Sequence, residues 1–323
     1  MTVLHWLSAG ALLASVGAAP AVAQETLVAP GPQGDLAGTL VAPAEGQPLV
    51  LIIPGSGPTD RDGNNPLGVT AAPYRLLADA LAERGIGTLR IDKRGMFASK
   101  AAVADANAVT IADYVTDTAS WVGAARTATG AECLWLLGHS EGGIVALAAA
   151  QELPHLCGII LVAVPGRPLA TVLREQLRAN PANAPLLEEA EAAIATLETG
   201  ERIDVTPLHP ALQSLFAPAV QGFLIDLMAQ DPAALAKQTD LPMLIVHGGN
   251  DLQVTATDAQ MFRAAAPQAK YLEIPAMNHV LKDIPHGAPA ANRASYGDPS
   301  LPVSRALVAG VADFVTRDRG ASE

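Results

Sequence analysis

The stretch Leu134-Trp135-Leu136-Leu137-Gly138-His139-Ser140-Glu141-Gly142-Gly143 decides how this chain folds. Residues 134–137 are a compact apolar run, the length of a buried strand, and residues 142–152 have the small-residue composition of a close-packed helix. Ser140 falls on the sharp turn between them, where the backbone is strained and the hydroxyl exposed. Gly138 and Gly142 flank it because neighbouring backbone comes too near for a Cβ. The helix amino terminus behind the serine favours developing negative charge. A serine held this way is a candidate nucleophile. The alternative is an ordinary glycine-rich turn with Ser140 facing solvent.

A hydroxyl is a poor nucleophile until a base removes its proton. His247-Gly248-Gly249-Asn250-Asp251 follows an apolar run at 242–246, which puts Asp251 on the loop at that strand's carboxyl end. Asn278-His279 follows the next run, 270–274, by a similar distance. The chain order Ser140, Asp251, His279 is the one this architecture uses for nucleophile, acid and base. The rivals fit less well. Asp240 precedes its strand, Asp258 starts a helix, and His286 lies further on amid Pro and Gly. His139 and His247 sit within the turns themselves and read as structural.

Acyl transfer passes through a tetrahedral oxyanion that needs two N–H donors. The residue after the nucleophile, Glu141, supplies one. The loop Pro54-Gly55-Ser56-Gly57-Pro58, behind the strand at 49–53, supplies the other from Ser56, with Gly57 as the alternative. Pro54 and Pro58 have no N–H to offer. The charges Asp60-Arg61-Asp62 and Asp92-Lys93-Arg94 read as internal salt bridges that pin their loops, in preference to a functional cluster. No Gly-x-Gly-x-x-Gly, phosphate loop or zinc-spaced His/Cys group is present.

Around this centre, short apolar runs alternate with helical patterns. Strands are expected at 36–41, 49–53, 86–91, 134–137, 158–164, 242–247 and 270–274, after a short irregular start. Helices are expected at 74–83, 111–122 behind a Thr110 cap, 142–152, 257–266 and 305–316. The alternation predicts an α/β fold: a mostly parallel sheet with helices on both faces. Residues 166–237 break the rhythm with three helical stretches, 169–178, 184–197 and 210–228. They read as a helical cap inserted between two strands, over a core formed by 24–165 and 238–323. Their many alanines and leucines suit either an apolar pocket wall or helix–core packing.

Composition narrows the function. Of 323 residues half are hydrophobic and 16% charged, which supplies a large core and excludes low-complexity disorder. The formal net charge is −12 and no Lys/Arg-rich run occurs, so nucleic acid is not an expected partner. Residues 1–23 read as a secretory signal peptide, apolar and ending in Ala21-Val22-Ala23, with cleavage after Ala23. An uncleaved anchor or a displaced start is the alternative. No later run is long and apolar enough to span a bilayer, so the mature chain is expected to be periplasmic or secreted. In an oxidising compartment Cys133 and Cys157 need weighing together. Each begins an apolar run, and if those runs are neighbouring parallel strands the thiols meet at one sheet end. A disulfide and two buried free thiols both fit that placement.

These residues resemble the α/β-hydrolase superfamily over nearly the whole mature chain, from about residue 27 to 315. The loop 55–64, the elbow 138–143, the stretch to Asp251 and Met277-Asn278-His279-Val280-Leu281-Lys282 look like a bacterial esterase group labelled serine aminopeptidase-like hydrolases. So does the tail Ser295-Tyr296-Gly297-Asp298-Pro299. The resemblance implies a carboxylesterase acting on short acyl esters, with no cofactor, a small-molecule ester substrate and the Ser140–Asp251–His279 triad. The same triad also serves thioesterases, lactonases, peptidases and perhydrolases, and a non-catalytic binding protein can keep the fold. Glu141 departs from lipases: its carboxylate puts negative charge near the oxyanion unless it points away.

Overall fold

The computed structural model describes residues 23–317. The expected signal peptide, residues 1–23, therefore lies outside the described residues except for Ala23. Eight strands form one sheet: β1 Glu25–Ala29, β2 Leu36–Val41, β3 Leu49–Ile53, β4 Gly87–Ile91, β5 Leu134–His139, β6 Leu156–Val162, β7 Met243–Gly248 and β8 Lys270–Ile274. Their spatial order is β1-β2-β4-β3-β5-β6-β7-β8. From β4 to β8 every pairing is parallel; β1 and β2 join antiparallel at one edge. β1 occupies the start that reads as irregular in the sequence. Its residues are mostly exposed, and it is recruited by backbone pairing to β2.

The helices are α1 Pro73–Ala82, α2 Ile111–Thr129, α3 Glu141–Ala149, α4 Leu169–Ala179, α5 Leu187–Glu198, α6 Pro210–Leu215, α7 Gln221–Met228, α8 Pro232–Gln238, α9 Ala256–Ala265, α10 Pro289–Ser295 and α11 Arg305–Arg317. Thr110 caps α2 reciprocally with Asp113. The strands are apolar on both sides because both faces are covered. Leu49, Leu51 and Ile53 of β3 join a core with α2, α3 and α9, whereas Val50 and Ile52 join a second core with α1 and α11. Leu136 and Trp135 of β5 divide in the same way.

Helices α4 to α8 lie between β6 and β7 in the chain. Four of them close over a small core of their own, built from residues such as Ile194, Leu197, Leu212 and Phe216. The expected single helix at 210–228 is two, α6 and α7. Pro218 disfavours helical backbone at the residue before it. This unit docks through Leu227 and Ala236, which join the main core, through the Phe223 ring against Tyr114, and through hydrogen bonds: Asp226 accepts from the Ile111 N–H at 2.7 Å, and Gln176 and Gln151 donate to Gln253 O and Leu235 O at 3.2 and 3.1 Å.

Cys133, just before β5, and Cys157, near the start of β6, form a disulfide with a Cα–Cα distance of 5.3 Å. It crosslinks the strands at the end of the sheet opposite Ser140. Among the described residues no helix is long and apolar enough to cross a membrane.

Candidate active site

Ser140 stands between β5 and α3 with φ 53° and ψ −125°, a conformation that costs a non-glycine residue on the order of 1–3 kcal/mol. The turn is held by the Ser140 N–H donating to Val162 O at 3.0 Å and by the Gly143 N–H donating to Ser140 O at 2.9 Å. Its neighbours have no room for side chains. A Cβ on Gly138 would meet Gly142 O at 2.3 Å, and one on Gly142 would meet Ile53 O at the same distance. The elbow is thus pressed directly against the end of β3.

His279, on the loop after β8, places Nδ1 2.8 Å from Asp251 Oδ2, on the loop after β7. The other carboxylate oxygen of Asp251 accepts from the N–H groups of Gln253 and Val254 at 2.7 and 3.0 Å. Burial alone would raise the Asp251 carboxyl. The adjacent imidazole and these N–H donors outweigh it and hold the group below the usual carboxylate range. With Nδ1 engaged, Nε2 is the imidazole nitrogen left for Ser140, and both residues line the same cleft. Ser140 Oγ makes no hydrogen bond among the described residues. Catalytic hydrogen bonds that are long in a free enzyme commonly tighten when substrate binds.

The rival residues are committed elsewhere. Asp258 closes the cap on α9 and pairs with Arg167 at 2.9 Å. His139 is buried, and burial first, then the nearby His279, pushes it down to about 3. His286 is exposed beyond the site, and His247 is buried on β7.

The second loop, after β3, is held from several sides. The Gly55 N–H donates to Tyr74 Oη at 3.0 Å, and Gly55 O accepts from Lys93 Nζ at 2.8 Å. No hydrogen bond among the described residues uses the Ser56 N–H. The Glu141 N–H opens α3, where backbone donors have no acceptor within the helix. The Glu141 carboxylate is buried and faces Lys93 Nζ at 3.3 Å, so its charge is paired. Asp60 pins its own loop by accepting from the N–H groups of Asp62 and Asn64, whereas the salt bridges of these clusters reach other segments. Arg61 pairs with Asp92 at 2.6 Å, Arg90 with Asp62, and Arg94 with Asp117 at 2.7 Å.

Three residues absent from the sequence reading of the site complete it. Tyr74 reads only as the first residue of a helix, Lys93 as a loop-pinning charge, and Asn292 gives no signal in its stretch. The cleft beside Ser140 encloses about 160 Å³ and is walled by Thr59, Asn65, Val69, Gln253, Val280 and Tyr296, among others. No residue of α4 to α8 lines it. The alanines and leucines of α4 to α8 pack among themselves and, through residues such as Leu227 and Ala236, on the main core.

The hydrolase family model described as "Serine aminopeptidase, S33" matches residues 67–282, which span Ser140, Asp251 and His279. The chain belongs to this family. Within the serine aminopeptidase S33 family the match runs from the loop beside the cleft to the residues just behind His279. The chain is also 30% identical over 241 residues to Esterase EstD of Thermotoga maritima. That alignment covers 72% of this chain and 54% of the relative, so the chain spans about half of the relative's length. Among solved structures, the α/β hydrolase GrgF from a Penicillium species superposes with a TM-score of 0.58 at 18% identity, covering 92% of this chain and 99% of that one. An esterase of Pyrococcus furiosus superposes with a TM-score of 0.56 at 14% identity, covering 92% and 91%. The fold is that of the α/β hydrolases.

Proposed function

We propose that this S33-family protein is an exported serine carboxylesterase acting on small esters. Ser140 Oγ attacks the ester carbonyl as His279 Nε2 takes its proton, and Asp251 orients the imidazole and stabilises its positive charge. The N–H groups of Ser56 and Glu141 receive the oxyanion. Collapse of the tetrahedral intermediate expels the alcohol, which His279 protonates. The acyl-enzyme is then hydrolysed by a water that His279 deprotonates.

The observation that carries this reading is the 2.8 Å His279–Asp251 pair sharing one cleft with a serine in a strained strand-to-helix turn. The name of the Thermotoga relative favours esters over peptides. The cleft's volume of about 160 Å³ favours short acyl groups. The Cys133–Cys157 disulfide favours an oxidising compartment, in keeping with the signal-like residues 1–23.

The test is hydrolysis of p-nitrophenyl acetate, butyrate and octanoate by the purified mature protein, with labelling of Ser140 by a fluorophosphonate. Acetate or butyrate should turn over fastest, and Ser140→Ala should lose on the order of 10⁴ in rate and all labelling. Wild-type rates in Ser140→Ala would overturn the proposal.

A further inference from the structure

We infer that Lys93 is a positioning residue of the oxyanion hole: it grips the Gly55 carbonyl and thereby aims the Ser56 N–H into the cleft. The inference rests on the serine-hydrolase reading of Ser140. Gly55 C=O and Ser56 N–H belong to one peptide unit. In a trans peptide they point in opposite directions, and no cis bond occurs among the described residues. Lys93 Nζ lies 2.8 Å from Gly55 O, so the N–H of the same unit is directed away from the lysine. Gly55, Ser56 and Ser140 line the cleft and Lys93 does not, so the lysine holds this peptide from outside the cleft.

The grip matters because this peptide is intrinsically free to turn. Gly55 imposes little backbone preference, and Gly57 two residues on is at φ +66°. A flipped peptide would present a carbonyl oxygen to the developing oxyanion and repel it. Lys93 opposes the flip because its side chain is buried, 5% exposed, and its ammonium would lose an acceptor it cannot replace from water. A charged donor on the carbonyl also polarises the amide and strengthens its N–H.

The same ammonium reaches the other half of the hole. Glu141 supplies its backbone N–H to the site while its carboxylate lies 3.3 Å from Lys93 Nζ, and the Tyr114 ring covers the lysine at 5.5 Å from its centroid. A lysine that only neutralised Glu141 would not need Gly55 O. One that positions the peptide needs it even when Glu141 carries no charge.

That difference sets the experiment. Lys93→Met, Glu141→Gln and the double variant are compared with wild type for kcat and KM on p-nitrophenyl acetate and for the rate of fluorophosphonate labelling. Removing an oxyanion donor outright costs about 10²–10³ in kcat, so a mis-aimed one should cost about 10- to 100-fold with KM nearly unchanged. The expected result is that Lys93→Met slows turnover and labelling to the same degree in the wild-type and in the Glu141→Gln background, whatever Glu141→Gln costs by itself. A double variant as fast as Glu141→Gln would reduce Lys93 to a counter-charge and overturn the inference. If Lys93→Met does not fold, Lys93→Gln with Glu141→Gln, one bond too short to hold Gly55 and neutral throughout, is read in its place. A wild type that neither labels nor turns over would remove the serine-hydrolase reading itself and this inference with it. A wild type that does both beside unaffected variants would remove only the role of Lys93.

Discussion

Tyr74 Oη lies 2.8 Å from His139 Nδ1, and the neighbouring groups allow that hydrogen bond only one direction. His139 Nε2 is 2.9 Å from the backbone O of His279, which can only accept, so Nε2 carries the proton. Nδ1 of the neutral ring therefore accepts from the Tyr74 hydroxyl, whose oxygen in turn accepts the Gly55 N–H at 3.0 Å. A single chain of three hydrogen bonds joins the Gly55 loop, the turn at Ser140 and the loop of His279.

Tyr74→Phe breaks this chain in the middle and leaves the Gly55 N–H and His139 Nδ1 buried without partners. Each unsatisfied buried group costs about 1–3 kcal/mol. The variant should lose at least about 2 kcal/mol in urea unfolding and about tenfold in kcat, because Gly55 is then held by Lys93 alone. Stability and kcat both equal to wild type would show that the chain contributes nothing.

The neutral state of His139 predicts acid sensitivity. Burial, then His279, push the imidazole down to about 3 in the folded protein, whereas an unfolded chain has it near 6.5. Between those values the unfolded state binds the extra proton, so stability falls as pH drops below about 6.5, by up to about 1.4 kcal/mol per pH unit. The Asp251 carboxyl, held below its usual value, adds a loss only further into acid. Urea midpoints at pH 7 and pH 5 should separate wild type from His139→Gln, with the variant losing less on acidification. Parallel losses would mean that His139 does not carry the effect.

The Cys133–Cys157 disulfide closes the segment holding β5, the elbow and α3, with a sequence separation of 24. A loop of that length stabilises by about 3 kcal/mol through the unfolded chain. Cys133→Ser with Cys157→Ser should lose about that much in urea titration. At 25 °C kcat should hold, because the bond joins the strands at the end opposite Ser140. A large loss of kcat in the folded double variant would instead make the disulfide part of the site's support.

What was legible in the sequence follows from how far apart the interacting residues are. Ser140, Asp251 and His279 each lie within five residues of a strand's carboxyl end, so local pattern is enough to single them out as candidates. β1 escaped because an edge strand with mostly exposed residues leaves no apolar run to read. The division of 210–228 was foreshadowed by Pro218, but apolar residues on both sides mimic one long face. Tyr74 and Lys93 act on Gly55 from 19 and 38 residues away, and no spacing rule reaches that far. The state of Cys133 and Cys157 depended on β5 and β6 being neighbours, which only the assembled sheet decides.

Asn292, on α10, makes the last prediction. Its Oδ1 accepts from Asn278 Nδ2 at 3.0 Å, and its Nδ2 donates to Asn250 O at 2.7 Å. Asn278 precedes His279 and Asn250 precedes Asp251, so one buried amide ties the two loops that carry the pair. Asn278 is held a second time by Ser295 Oγ at 2.8 Å, so the base loop keeps one anchor when Asn292 is lost. Asn250 also donates to Ala276 O at 3.1 Å, which limits how far its loop can drift. Asn292→Ala should therefore loosen the His279–Asp251 alignment without dissolving it. The expected outcome is a fall in kcat of about tenfold, a loss of roughly 1–3 kcal/mol from the unpaired groups, and little change in KM. Asn292→Asp keeps the acceptor for Asn278 but sets a carboxylate against the Asn250 carbonyl. It should be worse than alanine at neutral pH and recover in part as the carboxyl protonates in acid. An aspartate variant indistinguishable from alanine across that pH range would show that Asn250 is not held through Asn292.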